Sequence, residues 1–485
     1  MKWAFACQYE YNIGLKYRAD NMTGKPTFLH ALICFSVIVL MISVGLFVYN
    51  ISLHSILFLC LCWAVFNASF LGYAYLEIQS MMSDAITRAL PAIYIFILIG
   101  MVIASFMQSG TITTLIYYGL ALLEPSTFLF TGLLLCCLMS VVTGTSWGTV
   151  GTLGVVFMGV GAGLNVPLPI VAGMVISGAT FGDKLSPISD TTNLAAMSAE
   201  TDLYAHIRSM LYTTAPTLII VLVIMIYLGS QLSDSSLPEQ EINDIRVAIR
   251  DAYLLNPIIT LIPLLVMVVL SMKRFSPQVS MSLSILAACI VTVLFQDTDI
   301  VSIANALWSN SKGTTGIESI DTLLGRGGIS SMSWTLLLSI MALAMGGILF
   351  KGGFLEVLLA WGINRVRRTA SLVALTIASG FAGNLAMGES YISIILNCQL
   401  FGKNFDALGL QRSMLSRSVE EGATLTTGLI PWTTAGAFYT ATLGVPVLDY
   451  LPYAFLNYLN PVVSIAMAAL GLGLLKQSTA EKSRR

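Results

Sequence analysis

The chain has 485 residues, of which 56% are hydrophobic and 10% charged, and its formal net charge is −1. Soluble globular proteins carry about 25% charged residues, so the composition excludes that class and describes an integral membrane protein. It also offers nucleic acid no basic face, because the 24 Lys and Arg are spread through loops and tails.

Residues 1–27 read as a polar tail with Lys2, Lys16, Arg18 and Lys25. Apolar spans follow at 28–48, 55–75 and 89–108, each near the ~20 residues needed to cross a bilayer. The first starts too late and runs too long for a signal peptide. An amphipathic stretch from Thr111 to Leu123 ends at Glu124-Pro125. The apolar run from Ser126 stops at Thr143-Gly144-Thr145-Ser146-Trp147-Gly148-Thr149 and resumes to Val160. Pro167 to Thr180 leads into a polar stretch, Gly182-Asp183-Lys184-Leu185-Ser186-Pro187-Ile188-Ser189-Asp190-Thr191-Thr192-Asn193, and Ala205 to Gly229 is a full span.

After the polar segment 230–251 come spans at 253–272 and 278–295, with Lys273-Arg274 between them. Beyond the loop 296–330 lie a span at 333–350 and an amphipathic stretch ending in Arg365-Val366-Arg367-Arg368. The run from Ala370 to Phe401 is interrupted at Gly383-Asn384-Leu385-Ala386-Met387-Gly388-Glu389-Ser390. Met414 to Thr434 contains Glu420-Glu421-Gly422-Ala423-Thr424, and 450–474 is the last span. The cysteines lack metal-ligand spacing and read as apolar packing residues. His30, His54 and His206 fall at span ends and receive no role.

The stretch from Gly182 to Asn193 sets the functional expectation. A charge at the membrane centre costs about 2.5 kcal/mol or more, so ionisable residues there line binding sites or ion paths. Pro187 removes a backbone donor and turns Ser186 from helical geometry, which breaks the helix. Broken backbone at that depth survives only against protein or a water-filled cavity.

The two halves resemble each other. Gly178-Ala179-Thr180 falls on Gly422-Ala423-Thr424, Leu185 on Leu429 and Pro187 on Pro431 at one offset; at nearby offsets Gly148 falls on Gly388 and Gly110 on Gly353. The expected architecture is an all-α polytopic membrane protein of about 10–12 spans, built from two inverted repeats with broken helices and re-entrant hairpins at 126–160 and 370–401. Its divisions are a tail at 1–27, two leading spans at 28–88, a first repeat at 89–229, a loop with two connecting spans at 230–332, a second, inverted repeat at 333–474 and a tail at 475–485. Placing both tails, Lys273-Arg274 and Arg365-Arg367-Arg368 in the cytoplasm satisfies the positive-inside rule without moving a span. Cysteines at Arg367 and Asp244 should then be labelled from opposite sides of the membrane.

Asp183 and Asp190 are hard oxygen ligands for sodium or a proton, with neutral oxygens around them from Ser186, Ser189, Thr191, Thr192 and Asn193, and Ser146 in the Thr143–Thr149 break joins the candidate site. The plainer alternative pairs Asp183 with Lys184 and leaves Asp190 as a helix cap. Asn384 and Glu389 occupy the matching break. One residue of Glu420-Glu421 is expected to act while the other pairs with Arg417, and Glu421 joins the candidate sodium and proton site. No nucleophile, base and orienting residue cluster as an enzyme would require, and two separated breaks favour alternating access over a channel.

The Thr143–Thr149 and Gly182–Asn193 motifs, with Gly383–Ser390 and Glu420–Thr424, closely resemble the NhaC-type sodium/proton antiporter family of bacterial inner membranes. The resemblance covers about residues 28 to 474. It implies an inner-membrane antiporter exchanging sodium for protons; some members couple these ions to malate and lactate, and an amino-acid transporter on the same scaffold is a further alternative. The implied partners are sodium ions, protons and the bilayer, with no cofactor. Pairing of two chains stays open.

Overall fold

The computed structural model describes residues 24–232, 239–311, 313, 315–317, 321–322, 324–363, 366 and 368–477. The tail charges Lys2, Lys16, Arg18, Lys482, Arg484 and Arg485, together with Arg365 and Arg367, lie outside these residues. The described residues form helices and no strand, with one isolated bridge between Leu410 and Lys476.

Two leading helices, α1 (Phe28–Phe47) and α2 (Leu53–Phe70), precede α3 (Tyr75–Gln108), α4 (Thr111–Leu122), α5 (Pro125–Thr143), α6 (Ser146–Gly163), α7 (Leu168–Leu185), α8 (Asp190–Ser198) and α9 (Leu203–Leu232). Then come α10 (Glu239–Ala252), α11 (Ile262–Met272), α12 (Pro277–Phe295) and α13 (Ile300–Trp308). The second half holds α14 (Ile329–Lys351), α15 (Phe354–Ile363), α16 (Thr369–Met387), α17 (Ser390–Ala407), α18 (Arg412–Thr427), α19 (Thr434–Leu443) and α20 (Phe455–Ala469). Among the described residues ten helices are long and apolar enough to cross a bilayer. Their outer faces expose Phe58, Phe66, Ile219 and Val223, as lipid contact requires.

Each interrupted segment is a helical hairpin. Phe128, near the start of α5, meets Phe157, near the end of α6, with ring centroids 5.9 Å apart, so the two helices run antiparallel. The arms are longer than the expected re-entrant form needs: α5 and α16 have 19 residues, α6 and α17 have 18. At 1.5 Å per residue each reaches about 27 Å, most of the hydrocarbon layer.

The order of α3 to α9 recurs in α14 to α20. A long helix leads, through Gly110 or Gly353, both at φ +77°, to a short amphipathic one. A hairpin, a broken helix and a closing helix with an internal proline, Pro216 or Pro461, complete each copy. The backbone extends the offset of the Gly-Ala-Thr match through the hairpin and corrects the local match of Gly148 to Gly388. Gly144 (φ 69°) and Gly388 (φ 67°) both end their helices in the left-handed conformation, followed by extended caps at Thr145 (φ −150°, ψ 122°) and Glu389 (φ −149°, ψ 133°). The counterpart of Glu389 is therefore Thr145, not Thr149. In a Gly-rich run composition alone cannot set the offset, whereas a positive φ can, because it selects glycine.

At that offset Ser189 matches Thr433, and each caps the helix after its break by accepting a backbone N–H. The glycine contacts repeat as well. A Cβ on Gly178 would come within 2.7 Å of Cys136, and one on Gly380 within 2.7 Å of Gly422. A side chain at these positions would push α7 from α5, or α18 from α16.

The leading helices of the two copies run in opposite directions: Gly328 N donates to Gly100 O (2.6 Å), and Lys351 at the far end of α14 pairs with Asp84. The broken helix α7–α8 starts beside the open end of the first hairpin, where Val171 faces Gly161. It finishes in the apolar core that Ala195 and Ala199 share with Leu372 and Phe405, at the open end of the second. This packing is consistent with inverted repeats.

Candidate functional site

Helix ends from both copies converge on one cavity of about 610 Å³. Lining it are the breaks at Gly144–Ser146, Asp183–Lys184 and Asp190–Thr191 from the first copy and Glu389–Ser390, Thr427 and Thr434 from the second. Each restarting helix is capped by its own side chain: Thr145 accepts from Gly148 N, Ser189 from Thr192 N, Glu389 from Ser390 N and Tyr391 N, and Thr433 from Gly436 N. Caps satisfy amides that water cannot reach at this depth. A π-helical turn at Val150–Gly154 follows the first break, a distortion common at functional sites.

Asp183 stands at the centre. Its Oδ2 accepts from Ser146 Oγ (3.1 Å) and lies 3.3 Å from Lys184 Nζ, while Oδ1 has no hydrogen-bond partner among the described residues. The fully buried Lys184 also contacts Glu420 Oε1 (3.1 Å) and donates to Thr191 Oγ1 (2.7 Å). His206, given no role from the sequence, is fully buried and bridges Glu420 Oε2 (2.9 Å) and Ser416 Oγ (2.7 Å). Its position at the start of an apparent span, on the sequence alone, was indistinguishable from an interfacial one. Thr192 Oγ1 donates to Asp183 O (3.2 Å), which ties α8 to the end of α7.

Within Glu420-Glu421, Glu420 joins Lys184 and His206, while Arg417 donates to the carbonyls of Ser209 (3.3 Å) and Gly473 (3.2 Å) and places its charge near Glu421. Glu421 points to another side of α18, where Oε1 accepts from Thr213 (2.6 Å). The expected cap shifts by one residue: Ser189 is the cap, and Asp190 is the first helical residue, its Oδ2 accepting from Tyr391 of the second copy. Glu389 accepts from Thr434 Oγ1 (2.8 Å) as well as from Ser390 N (2.8 Å).

Of the sequence candidates, Ser146, Asp183, Asp190, Thr191 and Glu389 line the cavity. Asn193 is exposed, and its amide closes the Pro187–Ser189 loop by donating to both carbonyls (3.0 and 2.6 Å). Asn384 is buried against α18, donating to Ala423 O and to Thr426 Oγ1 (3.1 Å). Stacking of Trp147 on Phe438, centroids 4.7 Å apart, closes the first copy onto the second. From Asp183 the cavity runs to the exposed residues Arg274, Phe275 and Ser276.

Two hairpins and two broken helices around a buried, charged cavity define a secondary transporter of the multi-pass class. The chain belongs to the Na+/H+ antiporter family, whose model matches residues 21–230 and 178–472. It is 36% identical to the Na(+)/H(+) antiporter NhaC of Alkalihalophilus pseudofirmus, over 96% of this chain and 100% of that protein. It is 38% identical to NhaC of Bacillus subtilis, over 91% of this chain and 97% of the other. The malate-2H(+)/Na(+)-lactate antiporter of Bacillus subtilis is 35% identical, over 82% of this chain and 84% of that protein.

Proposed function

We propose that the protein exchanges sodium for protons across the bacterial inner membrane by alternating access, with Asp183 as the carboxylate that both ions visit. The observation that carries this reading is the half-satisfied carboxylate: Oδ2 is held by Ser146 and Lys184 while Oδ1 is unpartnered among the described residues. In the buried cluster of Asp183, Lys184, Glu420 and His206, two carboxylates meet one lysine, so with a neutral imidazole at His206 a bound cation completes the balance. Asp190, Thr191 and Glu389 extend the oxygen-rich wall. A proton and a sodium ion compete for one carboxylate, and a site that faces each side in turn converts competition into exchange.

Both termini and the Lys273-Arg274 loop are assigned to the cytoplasm by the positive-inside rule. On that assignment the cavity, which reaches Arg274, opens inward. A single cysteine at Asp244 and one at Arg368, both exposed, are expected to react with a membrane-impermeant maleimide from opposite sides. Arg368 replaces its neighbour Arg367, which is outside the described residues. Same-side labelling overturns the inverted arrangement.

The function itself is tested with purified protein in liposomes. A sodium gradient alone is expected to move protons, with no malate, lactate or amino acid added. The similarity to a malate-2H(+)/Na(+)-lactate antiporter defines the other outcome: proton movement only when an organic acid is supplied makes the protein a sodium-coupled carboxylate exchanger.

A further inference from the structure

A threonine inside a helix usually turns its hydroxyl back to a carbonyl one turn earlier. On the cavity wall Thr143 Oγ1 donates in this way to Met139 O (2.9 Å) and Thr180 Oγ1 to Ile176 O (2.7 Å), and away from the wall Thr217 Oγ1 donates to Thr213 O (2.8 Å) and Thr426 Oγ1 to Gly422 O (2.5 Å). Thr424 and Thr427 depart from this pattern. Their residues are 7% and 5% exposed, and their hydroxyls have no hydrogen-bond partner among the described residues.

An unpartnered buried hydroxyl is a cost to folding. Here two of them sit three residues apart, which places them on one face of α18, and both residues line the cavity. The offset that relates the copies makes Thr427 the counterpart of Asp183 and Thr424 the counterpart of Thr180. Asp183 Oδ1 is a further unpartnered oxygen of a cavity-lining residue, as is Ser280 Oγ on α12, whereas Asn384 Oδ1 and Glu421 Oε2, also unpartnered among the described residues, lie off the wall. Tyr439 links the two sides, its ring against Gly428 and its hydroxyl beside Ser146, the residue that donates to Asp183. One carboxylate oxygen and two hydroxyls, each without a partner among the described residues and each from a residue on the wall of the one cavity, make a donor set for a small hard cation, which takes oxygen ligands.

We propose that Thr424 and Thr427 join Asp183 Oδ1 as ligands of the transported sodium ion, so that the site is shared between the copies. The inference rests on the sodium-binding role given to Asp183 and extends it to residues that carry no charge. It gives alternating access a physical basis, because moving one copy against the other pulls hydroxyl ligands from the carboxylate and releases the ion.

The experiment uses the isosteric, apolar substitutions Thr424→Val and Thr427→Val, with Thr424→Ser and Thr427→Ser as hydroxyl-retaining controls. Two quantities are read on purified protein: the apparent KM for sodium in liposomes and the sodium-induced rise in Tm in detergent, which reports binding without transport. Each Val variant is expected to raise KM about tenfold or more, the loss of one ligand, and to lose most of the sodium-induced shift. The Ser variants keep both. Removing an unpartnered hydroxyl does not by itself destabilise a fold, so Val variants that melt like the wild type without sodium are expected; if one fails to fold, the Ala variant replaces it. Val variants with wild-type KM and a wild-type sodium shift overturn the proposal. A wild-type protein that shows neither quantity overturns the sodium reading of Asp183 instead, and the two failures are told apart.

Discussion

Asp183→Asn is expected to abolish sodium-dependent proton movement in everted membrane vesicles, a loss of at least about 100-fold, or roughly 2.7 kcal/mol of transition-state stabilisation. Asn keeps the shape of the side chain and can accept from Ser146, and Lys184 retains Glu420 at 3.1 Å, so insertion and folding should persist. What it removes is the charge, and with it the competition between ions. In the wild type the apparent KM for sodium should rise as pH falls, by up to about tenfold per unit, because the ligand must be deprotonated to hold a metal. Glu389→Gln should cost much less, since both Glu389 oxygens already accept protein hydrogen bonds as the cap of α17. A well-expressed Asp183→Asn protein with unaltered exchange would remove this carboxylate from the site.

Lys184→Met is expected to be the most destabilising single change in the cavity wall. It leaves Asp183 (5% exposed) and Glu420 (0% exposed) without their shared cation. Breaking a buried ion pair in this way costs about 3–5 kcal/mol. The midpoint of thermal unfolding in detergent should fall sharply, and adding Glu420→Gln should restore more than half of the loss, because it removes one of the two stranded charges. A double variant no more stable than Lys184→Met alone would show that Lys184 does not act by balancing Glu420. The cycle separates pairing from simple packing.

The motif from Gly182 to Asn193 was legible because charges and a proline inside apolar runs violate what lipid tolerates, and that violation is local. The second break was legible for the same reason at Gly388-Glu389. The hairpins were visible as interruptions, while the length of their arms was blurred by the small and polar residues of α6 and α17. His206 could not be found in this way: its partner Glu420 lies 214 positions away, and nothing in a single sequence marks that contact.

By itself the sequence determined the all-helical membrane class, the approximate number of spans, the doubled plan and the places where helices break. These follow from hydrophobic run length and backbone chemistry, which act over a few residues. Tertiary structure alone decided the rest. At the hairpin turns the left-handed backbone of Gly144 and Gly388 decided the local register, extending the offset of the Gly-Ala-Thr match where glycine-rich composition had paired Gly148 with Gly388. Adjacent residues on a helix point about 100° apart, so packing of α18 between α16 and the closing helices settled that Glu420 meets Lys184 while Glu421 meets Thr213. The free hydroxyls of Thr424 and Thr427 became visible only when every neighbouring carbonyl had been placed, because an unpartnered group is defined by what surrounds it.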